Sequence, residues 1–182
     1  MATPLSPRLV IVNSSLSSDS NTRMLSRHAH AHALQRGISA DLIDLKDHRV
    51  LPYGEEGSEG LEQIEAQLEQ AGAIILAFPL YNYNINSSLK ALIEHCGACF
   101  EDKVVGLMTA AGGRSSYMSV FSVGQSLMLD FRSWIVPRYV YAVSDDFGAE
   151  SIASPEVRRR VEQLVETIHR TAWQLQLEPP GG

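Results

Sequence analysis

Short runs dense in β-branched and aliphatic residues recur five times along the chain, and the intervals between them place apolar residues at helical spacing. That alternation predicts an α/β fold in which a parallel sheet is covered by helices on both faces. The expected strands are Leu9 to Asn13, Ala40 to Leu45, Ala73 to Phe78, Val104 to Thr109 and Val136 to Val143. The helices expected between and after them are Thr22 to Arg36, Leu61 to Gln70, Ser87 to Cys96, Met118 to Leu129 and Pro155 to Leu175. The run Ala73 to Phe78 is apolar throughout, as befits a strand buried on both faces. Ser154, Pro155 and Glu156 open the last helix, and Val157, Val161, Leu164, Val165 and Ile168 form its apolar stripe. Right-handed crossovers leave few topologies, of which a doubly wound five-stranded sheet of order 2-1-3-4-5 is the expectation.

The length of 182 residues suits one domain able to bury its own core, with residues 1–7 and 177–182 expected to be flexible. A formal net charge of −6 argues against a nucleic-acid surface. The start M-A-T-P-L-S-P lacks a basic and an apolar region, and no apolar run approaches the ~18 residues of a membrane span. A soluble, cytoplasmic protein is expected.

In a doubly wound sheet, ligands sit outside the carboxyl ends of the strands near the switch in strand order, so three loops matter. The first, N-S-S-L-S-S-D-S-N-T-R, lacks both the G-x-x-x-x-G-K-S and the G-x-G-x-x-G nucleotide patterns. It carries Ser14, Ser15, Ser17, Ser20, Asn21 and Thr22 where a helix begins, a supply of donors that suits a phosphate. The plainer reading is a single helix cap with serine filler, but one cap needs only one such residue. After the third strand comes P-L-Y-N-Y-N-I-N-S-S-L-K, uncharged, aromatic and amide-rich. Tyr81 and Tyr83 could flank a flat ring there, with Pro79, Leu80, Asn82 and Asn84 shaping the loop; alone, the stretch is equally a decorated turn in which Ser87 caps a helix. The third loop, T-A-A-G-G-R-S-S, brings Ala111, Gly112 and Gly113 to a strand's end, where glycines permit close approach to a ligand but also serve plain turns.

A phosphate, a flat heteroaromatic ring and a backbone-lined polar edge in one crevice describe flavin mononucleotide. The sequence resembles the flavodoxin-like NADPH-dependent FMN reductases and their quinone, chromate and azo reductase relatives, most specifically in P-L-Y-N-Y-N-I-N-S-S-L-K. The resemblance implies that Pro79 to Ile85 cradles the flavin ring, that Ser15, Ser20, Asn21 and Thr22 belong to the phosphate loop, and that Gly112 and Gly113 form the third wall. It further implies FMN as cofactor, NADPH or NADH as donor, a small-molecule acceptor and a homodimer. Three departures stand out: Ser14 and Ser17 replace the glycine and arginine of the usual G-S-x-R, Leu80 stands where glutamate is frequent, and Asn86 where proline is.

The expected activity is hydride transfer from NAD(P)H through FMN to a second acceptor, chemistry that belongs to the cofactor, so no side chain is assigned as acid or base. The alternatives are a flavodoxin-type electron carrier, against which the near absence of acidic residues in the loops counts, and a flavin-free binding module. For the homodimer, the aromatic and methionine-rich segment Tyr117 to Trp134 is the candidate interface. Arg114 reads as a surface arginine, with contact to the phosphates of the nicotinamide nucleotide as the alternative, and the trio Arg158 to Arg160 reads as an exposed helix face. His28, His30 and His32 read as a solvated helix face, not a metal site, and Cys96 and Cys99, at the end of a helix, as packing residues.

Overall fold

The computed structural model describes residues 6–177. Its elements are β1 (Leu9–Asn13), α1 (Asn21–Gln35), β2 (Ala40–Asp44), α2 (Leu61–Gln70), β3 (Ala73–Tyr81), β4 (Asn84–Ile85), α3 (Ser87–Cys96), β5 (Val104–Ala111), α4 (Val120–Phe131), β6 (Trp134–Ile135), β7 (Val140–Val143) and α5 (Pro155–Leu177). The sheet runs β2-β1-β3-β5 in parallel, and its last position is shared by β6 and β7, both parallel to β5. This is the expected flavodoxin-like, doubly wound order. Two apolar cores flank the sheet. One packs the Val10 and Val12 side of β1 under α2, α3 and α4; the other packs the Leu9 and Ile11 side under α1 and α5. Such two-sided burial is why the central strands read as unbroken apolar runs. Gly106 in β5 lets α5 approach closely, since a Cβ there would sit 3.1 Å from Leu164 and 3.3 Å from Ile168.

The sequence expectation fails at two strands. The third does not stop at Phe78 but continues to Tyr81 and folds back as β4, pairing Leu80 with Ile85 and Tyr81 with Asn84. Its two turn residues, Asn82 and Tyr83, have φ of 51° and 61°, the doubly left-handed geometry that matches the twist of a two-residue hairpin. The fifth strand is not continuous over Val136 to Val143. Between the pairs Val105–Ile135 and Met108–Val140, four residues on the edge face two on β5, a bulge centred on Pro137, which has no N–H to give, and Arg138, at φ 63°.

Smaller differences lie at the ends. Leu45 leaves β2 for a short 3-10 turn that Asp44 caps through Lys46 N–H, and α4 starts at Val120, after a separate 3-10 segment over Arg114–Ser119. Of the segments expected to be flexible, residues 1–5 and 178–182 lie outside the described residues. Pro7 is buried, and the Ser6 hydroxyl is 3.0 Å from His169 Nε2. The histidines of α1 are not a solvated face. His28 and His32 meet Glu162 and Glu166 of α5 at 3.0 and 3.2 Å, and His30 lies 3.1 Å from the Ala40 carbonyl, because α1 and α5 are neighbours on the same side of the sheet.

Candidate flavin site

All three loops emerge at the carboxyl edge of the parallel strands, and side-chain hydrogen bonds tie them together. Ser14 Oγ donates to Asn86 Oδ1 at 2.8 Å, while Asn86 Nδ2 and Ser88 Oγ both donate to the Ser14 carbonyl, at 2.7 and 2.6 Å. The first loop is thereby bolted to the start of α3. This explains one departure from the family pattern: Asn86, in the place of proline, is buried and serves as the clamp. It also makes Asn86, and not Ser87, the residue that precedes the helix. The Tyr83 hydroxyl reaches Ser115 Oγ at 3.4 Å, which links the hairpin to the glycine loop.

The first loop is organised by Arg23, which the sequence pattern did not single out as part of the site. The residue is 8 % exposed, and every N–H of its guanidinium is engaged. Nε bonds the Asp44 carboxylate, Nη1 donates to the carbonyls of Ser17 (2.7 Å) and Ser18 (3.2 Å), and Nη2 donates to the Ser15 carbonyl (3.0 Å) and again to Asp44 (3.3 Å). The loop's carbonyls therefore point inward to one cation. Conversely, no backbone N–H from Ser15 to Thr22 has an acceptor among the described residues. Ser20 caps α1 by accepting from Arg23 N–H at 3.1 Å. Free amides at a helix N-terminus, with carbonyls turned away, form an anion-binding nest. Burial pushes the Asp44 carboxyl up, but hydrogen bonds from Arg23, Asn13 and Lys46 N–H outweigh it and hold the group below its ordinary range. A signal was available: β2 lies beside β1 in register Asn13–Asp44, which sets an acid directly under the loop.

The hairpin supplies the second wall. Leu80 turns into the core, whereas Tyr81 and Tyr83 are 55 % and 65 % exposed, large aromatic faces presented to the crevice edge. Pro79 is buried in the strand, and Asn84 accepts from Ile85 N–H at 2.8 Å, a local bond that shapes the turn. The third wall is Ala111, Gly112 and Gly113. Neither glycine has a positive φ, and a Cβ at either would meet no protein atom within 4 Å, so space and not backbone strain distinguishes them. Behind them, Tyr141 donates its hydroxyl to the Gly113 carbonyl, and the rings of Tyr139 and Tyr141 lie 4.8 and 5.2 Å from that of Tyr117.

These features fit FMN. The nest suits its phosphate, the open glycines and exposed tyrosines suit a flat ring, and the buried Asn13 Oδ1, without a hydrogen-bond partner, awaits a donor at the strand's end. Ser14 offers such a site no free polar group: its N–H donates to the Ala77 carbonyl at 2.9 Å, its carbonyl accepts from Asn86 and Ser88, and its hydroxyl donates to Asn86. Ser17 Oγ donates to the Asp19 carbonyl at 3.2 Å, while Asn21 and the loop amides remain open. Cys96 and Cys99 take no part. Both are buried and free, and burial pushes the Cys96 thiol up to about 12 and raises that of Cys99, beside Glu65 and Glu69.

Comparison with known proteins points to the same cofactor. An NAD(P)H-dependent FAD/FMN reductase of Geobacillus thermodenitrificans is 26 % identical over 148 residues, covering 76 % of this chain and 78 % of that one. An FMN-dependent NADH:quinone oxidoreductase of Cellvibrio japonicus is 30 % identical over 122 residues, 57 % of this chain and 60 % of its own. Among solved structures, an apo NADH:FMN oxidoreductase superposes with a TM-score of 0.78 over 91 % of this chain and 89 % of that one, at 18 % identity, a likeness of fold. The chain is an oxidoreductase with FMN as cofactor and NAD(P)H as donor. Residues 7–148 match the model of the NADPH-dependent FMN reductases, and the chain belongs to that family.

Proposed function

We propose that the protein is a single-domain reductase that holds FMN among its three loops and passes electrons from NAD(P)H to free flavin, a quinone or a similar small acceptor. The observation that carries this is the Arg23-organised nest opposite the exposed tyrosine hairpin, with open glycine space beside them. FMN, once held there, would supply the redox chemistry that links the nicotinamide donor to the second substrate. The chain's own residues bind and orient. Amides of Ser15 to Thr22 and the hydroxyl of Ser20 would hold the phosphate, and the Ser17 hydroxyl would join them by turning from the Asp19 carbonyl. Tyr81, Asn82 and Tyr83 would face the ring, and Gly112 and Gly113 would let it lie against backbone. None of these is an acid or base.

The same reading includes a homodimer. Met118, Phe121, Met128, Leu129 and Trp134 are exposed on or beside α4, which lies against β4 of the ring hairpin. A second copy seated there would cover apolar surface and close the crevice against water. Among the described residues no helix is long and apolar enough to cross a membrane, which supports a cytoplasmic site of action. Steady-state oxidation of NADH and of NADPH by the FMN-loaded protein, with free FMN and with a benzoquinone as acceptors, tests the acceptor class. Turnover with neither would refute it.

A further inference from the structure

Beside the flavin crevice lies a second concavity, a groove of about 910 Å³ between α5 and the bulge that splits the edge strand. Arg138, Arg159, Arg160 and Arg170 line it, with Tyr117 and Tyr139 at one end. Arg160 is paired with Glu156 at 2.7 Å, and the groove's other carboxylate, Glu166, is engaged by His32 and Arg36 of α1. Arg138, Arg159 and Arg170 have no hydrogen-bonded or ion-paired partner among the described residues. The groove therefore carries uncompensated positive charge in a protein whose net charge is −6. Arg138 is also held at φ 63°, unfavourable for a residue with a side chain, by a bulge two residues longer than the strand it faces.

We propose that this groove binds the phosphates of the dinucleotide donor, with the nicotinamide end reaching the flavin crevice past Tyr117. The two sites share a wall: Tyr117 follows the glycine loop, its carbonyl accepts from Tyr139 at 2.7 Å, and its ring touches that of Tyr141, whose hydroxyl holds Gly113. From Glu156 to Arg170 the groove follows α5 for 14 residues, about 21 Å at a rise of 1.5 Å per residue, long enough for an extended dinucleotide. Guanidinium forks suit phosphate oxygens, and the tyrosines offer faces to a flat base. This assignment rests on NAD(P)H as donor and gives that donor a place on this chain.

The test is the double variant Arg138→Gly, Arg159→Gln in the FMN-loaded protein. The glycine relieves the left-handed backbone, so folding is not the variable. Flavin reduction is followed with NADPH and with reduced nicotinamide riboside, which carries no phosphate. The ratio of kcat/KM for NADPH to that for the riboside should fall about tenfold or more, and the salt dependence of the NADPH reaction should flatten. An unchanged ratio, whether both rates hold or both fall together, would overturn the groove's role and leave the reductase reading standing. A wild-type flavin reduced by neither donor would overturn both.

Discussion

The Arg23 guanidinium and the Asp44 carboxylate form a double hydrogen bond beneath the first loop, and this pair fixes which way the loop's peptide groups point. With 10 % and 17 % side-chain exposure, the pair is shielded enough to act as a structural unit. Arg23→Lys keeps the charge but loses the fork that gathers the carbonyls of Ser15, Ser17 and Ser18. FMN affinity should weaken by about tenfold and stability fall by about 1–2 kcal/mol, measured by fluorescence titration and urea denaturation. Unchanged affinity would detach the loop from the phosphate. Acid should act similarly. Because the folded Asp44 lies below the ordinary carboxylate value of 3.8, its contribution is complete above that pH and is lost as pH falls below it.

Gly112→Ala separates a folding role from a cofactor role. The added methyl meets no protein atom within 4 Å and the backbone needs no positive φ, so the thermal midpoint of the FMN-free protein should not move. If the ring lies against this wall, FMN affinity falls about tenfold, the cost of overpacking a fitted surface. A variant that binds FMN as well as wild type would leave the glycine loop outside the site.

Cys96→Ser with Cys99→Ser should leave NAD(P)H oxidation near wild type. The thiol of Cys96, pushed up to about 12 by burial, stays protonated at neutral pH, and the two cysteines lie at and beyond the C-terminal end of α3, whose first turn is the part tied to the first loop. Iodoacetamide should accordingly leave both untouched in the folded protein. Rapid alkylation with loss of turnover would reveal a working dithiol.

The exposed apolar face of α4 predicts a concentration-dependent dimer. Phe121→Glu with Met128→Glu should shift light scattering of the FMN-loaded protein toward the 20.0 kDa monomer. A wild type that is itself monomeric at micromolar concentration while turning over NAD(P)H would show that the crevice closes within one chain.

What was legible in the sequence follows from where burial is two-sided. The runs of β1, β3 and β5 are apolar on both faces, so their place in the sheet and the loops at their ends could be read directly. The edge is different. One side of β6 and β7 is unpaired, so the pattern there does not reveal a break, although Pro137 is the residue that forbids continuous pairing. The hairpin hid behind its composition, because Asn82-Tyr83 contains no glycine to announce a left-handed turn. Arg23 was hidden for a third reason. A lone arginine three residues past a cap looks solvated until the neighbouring strand places Asp44 beside it, and that contact depends on sheet order. His28 and His32 were misread likewise, their partners lying 134 residues away on α5.

The most direct test of the account is anaerobic mixing of the FMN-loaded protein with NADPH, and separately NADH, in a stopped-flow spectrometer. The protein should bind FMN stoichiometrically, and at least one donor should bleach the oxidised-flavin band in a saturable manner, far faster than it bleaches free FMN. A protein that takes up no FMN, or whose bound FMN reacts no faster than free flavin with either donor, would contradict it.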